Sequence, residues 1–149
     1  MLISKEAIFL NENLTSQEEV FHFITQKAVA LGVSADENAV YKGLVEREQQ
    51  GTTGMMDGFA IPHAKSSAIT TPKILIVRLN EGIDWNSMDG KPTLFIFSLL
   101  IPDGEAGTTH LKLLATVARM LMKADVKEAL LGARTADQLE GVLNSHLGA

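Results

Sequence analysis

The chain has 149 residues and a formal net charge of −5, with 46% hydrophobic and 21% charged residues, proportions of a globular protein long enough to bury a core rather than of a disordered chain. It has no cysteine, which excludes disulfides, a thiolate nucleophile and cysteine-based zinc sites. The acidic balance with dispersed Lys and Arg argues against nucleic acid as a partner, because a phosphate backbone selects a basic patch or stripe. One domain over residues 1–149 is expected. No early segment has the basic start, apolar run and small-residue cleavage site of a secretory signal, and no apolar run approaches the roughly 20 residues of a spanning helix. A cytoplasmic protein is the expectation.

In chain order, Ala7-Ile8-Phe9-Leu10 is a short apolar run suited to an edge strand, broken by Asn11-Glu12-Asn13. Ser16 with Glu19 has capping-box spacing, Val20, Ile24, Ala28 and Leu31 follow one helical face, and Gly32 ends the helix. His22 falls off that stripe and is expected in solvent. A second helical pattern runs from Asp36 to Gln50, started by Ser34 or Asp36. It has Val40 and Leu44 on its apolar face and Arg47 at the next position of the same face. Glu46, Glu48, Gln49 and Gln50 are expected to be solvated. Arg47 is then either a site residue or a last-turn cation that complements the helix dipole or pairs with a carboxylate.

The runs Ile74 to Leu79 and Leu94 to Ile101 are near-continuously apolar and predict strands covered on both faces. Between them Asn80-Glu81-Gly82 and Asp89-Gly90 read as turns around the only tryptophan, Trp85, expected as a hydrophobic anchor. Pro102-Asp103-Gly104 stops the second strand. A helix follows from about His110 to Met122, with Thr109 as N-cap and Leu111, Leu114, Ala118 and Leu121 on one stripe. Two short helices begin at capping-box spacings, Asp125 with Glu128 and Thr135 with Gln138, with Val126, Leu130, Leu131, Leu139, Val142 and Leu143 as apolar faces. His146 is expected in solvent. Strands interleaved with helices that cover both faces predict an α/β sandwich.

Chemistry concentrates in Gly58-Phe59-Ala60-Ile61-Pro62-His63-Ala64-Lys65. Pro62 fixes its own φ and biases Ile61 toward extended backbone, so His63 is entered from a stiff segment. The glycine-rich stretch Gly51 to Gly58 supplies turns and close backbone approach. A lone His beside a proline is more often structural than functional. Arg47, His63 and His110, however, all fall at the ends of elements. Free N–H groups and the macrodipole at a helix N-terminus favour an anion beside His110 and disfavour imidazolium there, so His110 is expected to be neutral and to donate one hydrogen bond. Arg47 adds a permanent fork matched to phosphoryl oxygens. Neutral imidazole is nucleophilic near pH 7 without a helper base. The set suggests phosphoryl transfer onto His63, with no metal or cofactor needed if Arg47 and backbone N–H groups hold the charge.

Arg47, Thr52-Thr53-Gly54, Gly58 through His63, Gly82-Ile83-Asp84-Trp85, Asp89-Gly90, Pro102 and His110-Leu111 together resemble the EIIA component of the bacterial phosphoenolpyruvate-dependent sugar phosphotransferase system. The likeness is to the fructose/mannitol class with its nitrogen-regulatory relatives, and it covers nearly the whole chain. It implies a mixed sheet with helices on both faces. It implies that His63 accepts a phosphoryl group from the carrier HPr and passes it to a cysteine of EIIB, indirectly serving the EIIC membrane permease in uptake of a fructose, mannitol or galactitol-type sugar. Arg47 would bind the phosphoryl oxygens and His110 would lie beside the active imidazole, with Thr53, Asp57 and Thr109 as neighbours and Asp57 a candidate to orient His63. The alternative within the family is a nitrogen-regulatory type whose phosphorylation state controls protein binding. Met55-Met56 and Ala64 depart from the family pattern, the methionines being either docking residues or loop packing. A metal-dependent hydrolase using His63, His110, Asp57 and Asp103 fits worse, because Arg47 would repel a cation and no His-Glu-x-x-His spacing occurs.

Overall fold

A computed structural model describes residues 3–105 and 108–147, excluding the side chains of 105, 108–110 and 147. A 3-10 turn at Lys5–Ala7 leads into β1 (Ile8–Glu12), followed by α1 (Gln17–Ala30), α2 (Glu37–Gln49), β2 (Phe59–Ala60), β3 (His63–Ser66), β4 (Lys73–Ile83) and β5 (Thr93–Pro102). A second 3-10 turn at Asp103–Glu105 precedes α3 (Thr108–Met120), α4 (Ala124–Gly132) and α5 (Ala136–Leu147). The sheet runs β1-β4-β5-β2, with β3 also on β5. β4 and β5 are antiparallel while β1, β2 and β3 pair in parallel, so the sheet is mixed and β1 is an edge.

The period of two in β4 and β5 sorts their side chains onto two cores. Leu75, Val77, Ile96 and Leu100 face α1 and α2, where Val20, Phe21, Ile24, Ala28, Val40 and Leu44 are buried. Ile74, Ile76, Phe95, Phe97 and Leu99 face the C-terminal helices through Val117, Met120, Val126, Leu130, Leu139 and Leu143. Both faces of the central strands are therefore covered, which is why their sequences read as unbroken apolar runs.

Several local expectations hold in detail. Ser16 Oγ accepts from Glu19 N–H at 3.1 Å, and Asp36 Oδ1 accepts from Ala39 N–H at 3.1 Å. Thr135 Oγ1 accepts from Gln138 N–H at 3.1 Å, while Gln138 Oε1 reaches back to Arg134 N–H. Others are corrected. Asn80-Glu81-Gly82 is no turn: β4 continues to Ile83 through a register shift, with Gly82 lying where a Cβ would come within 2.6 Å of Pro92. Asp125 does not cap α4, since the N-cap is Lys123 without a side-chain bond. The buried stripe of α3 is Val117 with Met120, continuing to Leu121, whereas Leu111 is 64% exposed and Ala118 is half-buried. Leucine spacing alone could not choose between two adjacent stripes on a helix apolar over much of its girth. Leu131 is likewise exposed. His22 is exposed as expected, but it stacks on Tyr41 with ring centroids 4.2 Å apart.

Trp85 is the anchor expected of it: 3% exposed, edge-on to Phe21, and donating its indole N–H to Thr53 Oγ1 at 3.0 Å. Gly54 permits this approach. An added Cβ would meet Ser87 Oγ at 2.7 Å and Trp85 Cδ1 at 2.9 Å. Gly54→Ala should therefore cost about 1–3 kcal/mol through overpacking, read as a lower urea midpoint at unchanged m-value. An unchanged midpoint would mean that the tryptophan loop yields freely.

Candidate functional site

Two elements bring the predicted side chains together. The Asp36 cap fixes where α2 starts, burial of Val40 and Leu44 fixes its rotation, and Arg47 then projects from its last turn toward the sheet. His63 is the first residue of β3, registered on Leu99 of β5, with Leu99 N–H donating to the Pro62 carbonyl at 3.1 Å. α2 packs closely on β3: a Cβ on Gly43 would lie 3.1 Å from the Cβ of Ala64. Ala64 is thus seated by a glycine opposite it.

The segment before His63 is a tight hairpin. Asp57 and Gly58 both have positive φ, 60° and 87°, and Phe59 N–H donates to Met56 O. That is the type I′ arrangement for which Asp-Gly is favoured. The Asp-Gly pair flanked by apolar residues was a readable hairpin signal, and a reading of the stretch as a general glycine-rich loop passes over it. Returning from the turn, Ala60 bridges Gly54, and Ile61 N–H donates to Thr53 O at 3.0 Å.

His63 is 6% exposed, and both ring nitrogens are engaged. Arg47 Nε lies 3.0 Å from His63 Nε2, and His63 Nδ1 lies 2.9 Å from Ile61 O. Guanidinium N–H groups can only donate and a carbonyl can only accept. Nε2 is therefore the unprotonated nitrogen, and Nδ1 carries the proton and gives it to Ile61 O. The arrangement presents a neutral imidazole with its nucleophilic lone pair at Nε2. Arg47 Nη1 meanwhile donates to Gly51 O at 2.8 Å, closing the end of α2. Arg47, Lys65, Glu46, Gln50 and His63 line a cleft of ≈ 250 Å³ that carries two cations and one carboxylate. A metal at Nε2 would have to displace a guanidinium, which disfavours the hydrolase reading.

Other expected site residues lie as follows. Thr53 is buried, and its hydroxyl donates to Glu48 Oε1 and accepts from Trp85. The carboxylate of Asp57 is turned to Lys91 and Lys127, while its own N–H donates to Asp89 Oδ2. The carbonyl of Ile61 occupies the orienting position at His63 Nδ1 that was expected of Asp57. α3 begins at Thr108, so Thr109 lies inside its first turn rather than before it. The side chains of Thr109 and His110 lie outside the described residues. Met55 packs against the core shared with the C-terminal helices and Met56 is 49% exposed. Glu48, expected in solvent, is half-buried and holds Thr53 with both carboxylate oxygens.

Bonds from Lys127 and then Lys91 hold the Asp57 carboxyl below its ordinary value of 3.8, and N–H bonds from Asp57 and Lys91 do the same for Asp89. A depressed carboxyl contributes stability above its unfolded pKa and loses it as pH falls through the folded value. Lys127→Met should bring the Asp57 carboxyl back toward 3.8, followed by its side-chain ¹³C shift. The stability gap from wild type should close as the solution is acidified below that range. A gap that persists there would assign the loss to packing of Lys127.

Over residues 1–146 the sequence matches the family described as phosphoenolpyruvate-dependent sugar phosphotransferase system, EIIA 2. It is 38% identical over 138 residues to the PTS system fructose-specific EIIA component of Haloferax volcanii, covering 93% of this chain and 89% of that protein. It is also 38% identical over 142 residues to a nitrogen regulatory protein of Bradyrhizobium diazoefficiens, covering 95% and 92% of the two. The crystal structure of the nitrogen regulatory protein IIA-Ntr from Neisseria meningitidis superposes with a TM-score of 0.89 over 95% of this chain and 96% of that one, at 26% identity.

Proposed function

This chain belongs to the EIIA type 2 family of the phosphoenolpyruvate-dependent sugar phosphotransferase system, and from that premise we propose that residues 1–149 form one domain acting as a cytoplasmic phosphocarrier whose His63 Nε2 takes a phosphoryl group from phosphohistidine on HPr and hands it to a cysteine of EIIB. The observation that carries this reading is the Arg47 Nε contact at 3.0 Å on His63 Nε2, because it supports Nε2 as the nitrogen with the lone pair and a guanidinium beside it as the group to receive phosphoryl oxygens.

In the forward step the Nε2 lone pair attacks phosphorus as the bond from phosphorus to the donor imidazole breaks, and the released electron pair stays with that imidazole. Positive charge grows on the His63 ring, and the Ile61 carbonyl at 2.9 Å from Nδ1 is positioned to stabilise it. The Arg47 guanidinium must leave Nε2 at this moment, and the equatorial phosphoryl oxygens are its natural new acceptors. In the second step an EIIB thiolate attacks the same phosphorus and Nε2 regains its lone pair. His110, with Thr109 nearby, is proposed to complete the surroundings of the phosphoryl group, while the Thr53 hydroxyl, held between Glu48 and Trp85, supports the hairpin from behind. His110→Ala should then slow acceptance, donation or both. The acceptor cysteine must lie outside these 149 residues, which contain none.

We favour a carrier in fructose, mannitol or galactitol-type uptake, feeding EIIC through EIIB. Equal identity to a nitrogen regulatory protein supports a second reading, in which the phosphorylation state of the same histidine governs protein binding. The test is intact-mass spectrometry at neutral or alkaline pH after incubation with phosphoenolpyruvate, enzyme I and HPr. One acid-labile phosphoryl adduct is expected, discharged on adding a cognate EIIB. An adduct that no EIIB discharges favours the regulatory reading, and no adduct while HPr is phosphorylated in the same tube overturns the carrier.

A further inference from the structure

We infer that Glu48 is a positioning residue for His63, a role that rests on the phosphocarrier reading but is carried by contacts independent of it. Glu48 follows Arg47 on α2, yet its carboxylate turns to the hairpin instead of the cleft. Oε2 accepts from Thr53 N–H at 2.8 Å and Oε1 accepts from Thr53 Oγ1 at 2.6 Å. Since the Thr53 hydroxyl proton is committed to Glu48, its lone pair is left for Trp85 Nε1, which can only donate, at 3.0 Å. Three donors thus meet three acceptors, and a carboxylate at position 48 satisfies both Thr53 donors at once.

The held residue acts on the histidine through one more link. Thr53 O accepts from Ile61 N–H at 3.0 Å, and Ile61 O accepts from His63 Nδ1 at 2.9 Å. Ile61 is pinned at its N–H by Thr53 while its carbonyl sets the tautomer of the ring, and Pro62 stiffens the connection between them. Arg47 and Glu48 therefore place opposite sides of one imidazole from adjacent helical positions: Arg47 contacts Nε2 directly, and Glu48 locates the carbonyl that Nδ1 faces. A carboxylate that accepts two charge-assisted bonds, from an N–H and from a hydroxyl, is a stiffer anchor than a neutral amide.

Glu48→Gln keeps the shape but replaces one of the two accepting oxygens by an NH₂, so one of the two Thr53 donors loses its acceptor. Two readouts separate positioning from loop anchoring. The first is the ¹⁵N shifts of the His63 ring across a pH titration of the unphosphorylated protein. The second is the single-turnover rate of transfer from phospho-HPr at saturating donor. Positioning predicts ring shifts that move away from the pure Nδ1–H tautomer toward an averaged value, and a transfer rate about ten-fold lower because the nucleophile is misplaced, with half-saturation by donor unchanged. A folded Glu48→Gln protein with wild-type ring shifts and rate overturns the inference. Should that variant not fold, the pair Thr53→Ser and Thr53→Val decides: the serine protein should retain wild-type shifts and rate, and the valine protein should show both changes. Equal behaviour of the two overturns the inference. If wild type accepts no phosphoryl group, the carrier reading fails, while the ring shifts still judge what Glu48 does to His63.

Discussion

A His63→Ala protein is expected to fold and to acquire no phosphoryl adduct under conditions in which wild type acquires one. The substitution removes the ring from a buried position and strands the Ile61 carbonyl and the Arg47 Nε that it joined. Unpaired polar groups of this kind cost about 1–3 kcal/mol, less than the roughly 5–15 kcal/mol by which domains are usually stable. Circular dichroism should therefore report a folded chain of lower melting temperature. Among the described residues no other imidazole nitrogen accepts from a guanidinium, so no second acceptor is expected. The other histidines, His22, His110 and His146, supply the control. An adduct on the His63→Ala protein would move the acceptor to one of them and remove the geometric argument for Nε2.

Arg47→Lys is expected to lower the rate of transfer from phospho-HPr by about 10²–10³, the loss seen when a preorganised donor is taken from a developing oxyanion. Lysine is also an obligate donor, so it can still face Nε2 and preserve the tautomer. It can also remain near Gly51 O, which now receives a bond from Arg47 Nη1. What it cannot reproduce is the planar fork that meets two phosphoryl oxygens at once. The variant thus tests the fork separately from the proton. Rapid-quench single-turnover measurement should show a lower limiting rate with the His63 ring shifts near those of wild type. An unchanged limiting rate would leave Arg47 as a helix-terminal cation and no more.

Much of the architecture was legible because it follows from short-range rules. Ser16, Asp36 and Thr135 cap their helices through hydroxyl or carboxylate oxygens that compete for free N–H groups. The apolar runs became β4 and β5 because only doubly covered strands can lack alternation. The pairing of Arg47 with His63 was partly legible, since heptad-like spacing from Val40 and Leu44 turned Arg47 toward the core side. The failures have physical causes too. Asn80-Glu81-Gly82 has turn chemistry, but β5 supplies a neighbour that keeps β4 extended across it. Leu111 has the right residue type and lies on the wrong stripe, a choice made by the surfaces that α3 packs on. Glu48 looks like any solvated acid in a charged helix end until Thr53 is folded back onto it.

By itself the sequence determined most of the helices, the two-faced central strands, the family and the stiff Ile61-Pro62-His63 entry, because each depends on residues near one another in the chain or on the period of their spacing. Only the tertiary structure decided which nitrogen of His63 carries the proton and which the lone pair. That choice requires an obligate donor 16 positions earlier in the sequence and a carbonyl two residues away to meet opposite edges of one ring. A proton's position in an imidazole is set by its partners rather than by its neighbours in sequence.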